Sequence, residues 1–260
     1  MDLKFEERPY AGNSFRPQPE ILLDPQAQLL IVATPWGARS AATKVIGRMT
    51  DYLSLARTDN EATSPFERLS CLSTQANNLR VAALLANEIL YREDNQNEYN
   101  SGVELFAAIV DDNELVWLQA GNPQILLSRK GRSLLPLGSQ IDLAYDLSEG
   151  TELLPALPAQ LLGLDLSLNL NINSFRARPG DQLVLLSHSL LPDFLFSQEL
   201  KSSQKIAENA PLSLEPLSRS LARACPNLAF WLGILSVGHA GSDESTSDDA
   251  SVDNLLLGAE

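Results

Sequence analysis

Leu166-Ser-Leu-Asn-Leu-Asn-Ile-Asn-Ser-Phe175, closed by Arg178-Pro-Gly-Asp181 and followed by the apolar run Leu183-Val-Leu-Leu186, is the stretch from which the fold follows. Leu166, Leu168, Leu170 and Ile172 alternate with Ser and Asn, the period of a strand packed on one face only. In Arg178-Pro-Gly-Asp181, Pro presets φ and Gly supplies the unusual backbone angle, so the two apolar segments are expected to form an antiparallel hairpin. A strand with one wet face belongs to an antiparallel sheet that needs a second layer on its other side.

Outward from that stretch, strands are predicted over 103–110, 115–119, 124–128 and 133–137. Asp111-Asp-Asn113, Gly121-Asn-Pro123 and Arg129-Lys-Gly131 punctuate them as an antiparallel meander. Asp111 and Asp112 read as turn residues. An apolar strand over 29–33 precedes a helix over 38–57, whose Ala42, Val45, Ile46, Met49 and Leu53 share a face. A second helix is predicted over 65–91, with Leu69, Leu72, Ala76, Leu79, Ala83, Leu84 and Leu90 at similar spacing. Residues 213–225 are again helical, and 227–237 are apolar and strand-like. Sheets that cover one face need a partner sheet, and helices with one apolar stripe need a sheet to lie on. The expected class is therefore α+β, a four-layer α/β/β/α sandwich of two antiparallel sheets flanked by helices.

The chain has 260 residues, 44% of them hydrophobic, enough for a core without disulfide or metal support. Acids outnumber bases 33 to 19, a formal charge of −14, which disfavours nucleic acid and anionic membrane as partners. The two cysteines, Cys71 and Cys225, lack zinc spacing and read as buried free thiols of a reducing compartment. No apolar run approaches a membrane span and the first residues lack the apolar core of a signal peptide, so the cytoplasm is the expected location. Residues 1–238 read as one domain. Residues 239–260 carry six acids and no Lys or Arg, the composition of a disordered acidic tail, with an apolar patch over 252–257 that either docks or is inert.

The order of elements, with these turns, resembles the PPM family of metal-dependent (type 2C) Ser/Thr protein phosphatases over nearly the whole of residues 5–237. Four stretches carry the resemblance. Leu30-Ile-Val-Ala-Thr-Pro-Trp-Gly-Ala38 resembles the family's strand and V-A-D-G-M-G-G turn. Val116-Trp-Leu-Gln-Ala-Gly-Asn-Pro-Gln-Ile-Leu-Leu127, with Arg129-Lys-Gly131, resembles A-N-V-G-D-S-R and its hairpin. Leu161-Leu-Gly-Leu164 and Arg178-Pro-Gly-Asp-Gln-Leu-Val-Leu-Leu-Ser-His-Ser-Leu190 resemble its L-G and P-G-D-x-x-L-L-x-S-D-G-L segments. Ala224-Cys-Pro-Asn-Leu-Ala-Phe-Trp-Leu-Gly-Ile-Leu235 resembles the end of a helix with G-S-x-D-N and the last strand.

In the family, aspartates at these turns hold two divalent ions and a metal-bridging water attacks phosphate, as suits hard oxygen ligands. By that resemblance the former metal-site positions are Thr34, Pro35, Asn122, His188 and Pro226, and none of them is an aspartate. The resemblance thus implies a pseudophosphatase without metal, cofactor or turnover that regulates or scaffolds by binding a protein, such as a phosphoprotein or kinase-type signalling component. The alternative it leaves open is a divergent Mg/Mn-dependent phosphatase that recruits Glu20, Asp181 or Asp193. Arg16 stands near the family's phosphate-binding arginine, and is either an anion or partner contact or a surface residue beside a strand. Trp36 either plugs the cleft, anchors a partner, or packs against the first helix. Trp117 and Trp231 read as core. Ser187-His188-Ser189 is no catalytic triad, because neighbouring strand residues point to opposite faces, and no G-x-G-x-x-G, Walker loop, G-x-S-x-G or C-x-x-C occurs.

Overall fold

In the computed structural model, which describes residues 2–13, 15–58, 65–121, 123–132, 134–137, 160–187 and 211–238, ten strands form two five-stranded antiparallel sheets. Sheet I runs β1(Asp2–Tyr10), β10(Phe230–Gly238), β9(Gln182–Leu186), β6(Gln124–Ser128), β7(Leu135–Pro136). Sheet II runs β2(Glu20–Asp24), β3(Leu29–Gly37), β4(Ser101–Asp111), β5(Glu114–Ala120), β8(Asn171–Arg176). Helices α1(Ser40–Thr58) and α2(Thr74–Leu90) lie on sheet II, and α3(Leu214–Ala224) on sheet I. The predicted four layers are present.

Three apolar clusters fill the gaps between layers. Even-numbered Leu30, Val32, Phe106 and Ala108 meet Ile125, Leu183, Leu185 and Trp231 between the sheets, with Trp117 among them. Their odd-numbered neighbours Leu29, Ile31, Leu105 and Ala107 meet Val45, Met49, Leu79 and Leu90 of the helices. Leu217, Leu221 and Cys225 of α3 cover Val184, Leu186 and Phe230. Strands buried on both faces have no alternation left to show, which is why β3 and β4 read as continuous apolar runs.

Several sequence expectations are corrected. Residues 166–175 and 183–186 do not pair: β8 binds β5, whereas β9 lies between β10 and β6 in the other sheet. The intervening turn is sewn to β10, because Gly180 N–H donates to Val237 O and Val237 N–H to Asp181 O, 2.8 and 2.9 Å. The meander also divides, β4–β5 in sheet II and β6–β7 in sheet I, with Gly121 at φ +79° where the chain crosses. The second helix starts at Thr74 rather than 65, since Ser73 caps it and Asn77 bonds the backbone of Leu69, Leu72 and Ser73. Strand β1 at the chain start carried no prediction. Cys225 is buried as expected, but Cys71 is exposed in the segment ahead of that cap.

β3 continues through Thr34, Pro35 and Trp36, which were expected in a turn. Pro35 is tolerated in this central strand because its partner Val103 turns its N–H and C=O away from β3, to Leu162 (3.1 and 2.9 Å). β2 has already ended opposite Ala33, so no ladder donor is needed on the other side.

Candidate functional site

At this end of sheet II, Thr34 and Trp36 share the face of Leu30 and Val32, the face turned toward sheet I. Opposite Thr34 stands Glu104, on the inward face of β4 with Phe106 and Ala108. Beyond β5 the chain leaves the sheet at Gly121, where a Cβ would come within 3.0 Å of Glu104 Cγ. Gly102, opposite Trp36, is equally enclosed: a Cβ there would lie 2.9 Å from both Leu161 Cδ1 and the Tyr99 hydroxyl. Gly121 thus lies against the Glu104 side chain, and Gly102 against Leu161 and Tyr99.

Arg16 reaches into this space from the segment between β1 and β2. That segment is anchored on the turn after α3: the Tyr10 hydroxyl donates to Pro226 O (3.2 Å), Asn13 N–H to Asn227 O (2.9 Å) and Asn13 Nδ2 to Asn227 Oδ1 (2.7 Å). Gly12, at φ +47°, lies against the Leu228 backbone. The guanidinium Nη2 donates to Glu104 Oε2 at 2.9 Å, and Cζ stands 5.8 Å from the Trp36 ring centroid. The Arg16 and Glu104 side chains are 8% and 2% exposed, so Arg16 is a buried cation with an internal counterion rather than a surface arginine.

The contact is incomplete. Arg16 Nε, Glu104 Oε1, Trp36 Nε1 and Gln119 Oε1 are all buried without a hydrogen-bond partner among the described residues. Trp36 is 7% exposed, which leaves a partner little of its surface to hold. Tyr99 donates its hydroxyl to Trp36 O at 3.3 Å, and partial burial raises its phenol above the ordinary value. Beside Gln119 and Gly121 lies a cavity of about 270 Å³ whose other polar walls are Gln160, Asn169 and Asn171, amides with no formal charge.

Of the positions singled out in the sequence, the fold brings Thr34, Pro35, Trp36 and Arg16 to one end of the sandwich and places exposed Pro226 on the turn that anchors the Arg16 segment. Asn122, His188 and Asp193 lie outside the described residues. Ser187, next to His188, is structural: its Oγ accepts from Trp231 N–H at 2.8 Å. Asp181 accepts from Arg129 Nε and Nη2 (2.8 and 2.5 Å) and from Arg178 N–H (2.9 Å), and Glu20 Oε2 accepts from the Thr43 hydroxyl (2.8 Å). Sequence reasoning missed Glu104. Its signal was a lone acid at an inward position of the apolar run Val103-Glu-Leu-Phe-Ala-Ala-Ile-Val110, since an unpaired carboxylate is almost never buried.

A pair of hard divalent cations needs several anionic oxygens. Among the described residues Glu104, opposite Thr34, is already bonded to a guanidinium, and no cluster of three or more His, Cys, Asp or Glu occurs. The described donor set therefore does not fit such a metal pair.

The sheet order and the flanking helices are those of the fold of the PPM, or type 2C, Ser/Thr protein phosphatases. Among solved structures the chain is similar to PppA, a key regulatory component of the T6SS in Pseudomonas aeruginosa, at TM-score 0.63 and 17% identity, over 91% of this chain and 98% of that one. It is similar to the serine/threonine phosphatase PstP/Ppp of Mycobacterium tuberculosis at TM-score 0.62 and 17% identity, over 92% and 100% of the two chains. The PPM Ser-Thr phosphatase MsPP of Mycobacterium smegmatis, in complex with cacodylate, gives TM-score 0.59 and 16% identity over 91% and 99%. No protein-family model and no curated protein matches the chain by sequence. No described helix is long and apolar enough to cross a membrane.

Proposed function

We propose that this chain is a pseudophosphatase: a PPM-fold protein without metal-dependent turnover that acts in the cytoplasm by binding another protein, as a regulator or scaffold in signalling. The observation that carries this reading is the Arg16–Glu104 pair, buried opposite Thr34 at the end of the sandwich where the fold family holds its metals. Thr34, Asn122, His188 and Pro226 replace aspartates that the family resemblance would require there, and Pro226 has no side-chain donor atom. A regulatory role also agrees with the description of PppA, one of its fold neighbours. The net charge of −14 supports a protein partner over nucleic acid or an anionic membrane.

The test is turnover of p-nitrophenyl phosphate and of a phosphoserine peptide by the purified chain with Mn or Mg. The expected rate equals the protein-free blank. Metal-dependent turnover that disappears when Thr34 or Glu104 is substituted would overturn the proposal in favour of a divergent phosphatase.

A further inference from the structure

A guanidinium presents two parallel N–H groups to an oxyanion, and a well-made Arg–carboxylate pair uses both oxygens of the acid. Arg16 and Glu104 make half of that arrangement. Nη2 reaches Oε2, whereas Nε and Oε1 are buried with no partner among the described residues, and Trp36 Nε1, from the ring beside the guanidinium, is a further buried donor without a described acceptor. Two unused donors lie about one buried cation, and the only described acid bonded to that cation is tethered to β4. This donor set suits an oxyanion with two or more acceptor oxygens better than it suits the single oxygen that Glu104 supplies. Gly121 leaves the space beside it to the Glu104 side chain, since a Cβ there would come within 3.0 Å of Glu104 Cγ.

We infer that Glu104 is a built-in oxyanion that occupies an oxyanion site formed by Arg16 and Trp36, so that the native chain takes no phosphate there. Removal of the carboxylate leaves Arg16 as an uncompensated buried cation, and a small free oxyanion of the formate, acetate or phosphate class then takes the vacated place. A cleft closed in this way meets its partner without regard to phosphorylation at this end. The inference goes beyond the absence of turnover and does not need it, because it is read from anion binding rather than from hydrolysis.

The experiment compares thermal unfolding of the full native chain, Glu104→Ala, Glu104→Gln and the double variant Arg16→Ala/Glu104→Ala in formate, inorganic phosphate, or chloride at matched ionic strength. Native protein is expected to respond to all three salts alike. Glu104→Ala is expected to melt lower than native and to regain about 3 °C, saturably, once formate exceeds its dissociation constant tenfold. The double variant gains nothing beyond the chloride control. Glu104→Gln, whose amide still fills the space, is destabilised without rescue. If Glu104→Ala does not fold in chloride, refolding in formate replaces the melt, and recovery of native circular dichroism only in formate supports the site. Saturable binding of phosphate by the native chain that Arg16→Ala abolishes would overturn the inference. So would a Glu104→Ala protein that responds to formate no more than the double variant, or refolds no better in formate than in chloride.

Discussion

Tyr99 closes the site from the side of α2, its hydroxyl bonded to Trp36 O while the residue remains 43% exposed. Burial raises its pKa above the ordinary 10.0, so the folded state holds this proton longer than the unfolded chain does. The resulting stabilisation is fully present below about pH 10 and is lost as pH rises through the folded-state value. In a tyrosinate absorbance titration Tyr99→Phe should remove a step that ionises above pH 10. Trp36 tests the plug directly. Trp36→Ala removes an enclosed indole and should cost about 3–5 kcal/mol in denaturant unfolding, the range for large aromatic truncations in a core. A cost below about 1 kcal/mol would show that the ring fills nothing. At this scale the sequence made Thr34, Pro35 and Trp36 conspicuous, because they interrupt a motif. Glu104 left only the mark of a lone acid in an apolar run, and a hydrophobic pattern does not reveal that such an acid faces inward until the pairing register is known.

Arg129 links elements that lie far apart in the chain. Following β6, it pairs with buried Asp181 before β9, donates to Arg176 O of β8 (3.2 Å) and stands 5.9 Å from the Phe175 ring, so one side chain joins the two sheets. The Asp181 carboxylate holds the guanidinium charge more firmly than in a free arginine. Arg129→Ala leaves Asp181 buried and uncompensated, and should cost about 3–5 kcal/mol. Arg129→Lys should recover only part of it, because an ammonium cannot reproduce the two-pronged contact; full recovery would assign the effect to charge alone. The same elements show where local sequence stops being informative. Alternation and the Arg178-Pro-Gly-Asp181 turn located β9 correctly but started β8 five residues early, at Leu166 rather than Asn171, and the pairing is decided by β10 and β5, which lie about 50 residues away in each direction. Turn chemistry fixes that a chain reverses, and the long-range ladders decide into which sheet. At α2 the apolar spacing of Leu69 and Leu72 continued past the helix start, and Ser73 with Asn77 was the stronger signal.

For the whole molecule, layer count was legible because each amphipathic element declares how many of its faces are covered: none of the predicted strands or helices could stand without a neighbour, and three separate apolar clusters follow. The acidic tail entered that count nowhere. β10 is paired to its last residue, Gly238 opposite Asp2. Residues 239–260 hold six of the 33 acids, and their removal changes the formal charge from −14 to −8. If the tail contributes only charge, a chain ending at Gly238 should keep its thermal midpoint within about 1 °C and its denaturant slope unchanged, because no apolar surface is newly exposed. It should also elute earlier from an anion exchanger, as its lower charge requires. A midpoint several degrees lower with a smaller slope would instead mean that the patch over 252–257 packs on the domain, and would make the tail a regulatory element of the same body rather than a separate handle for a partner.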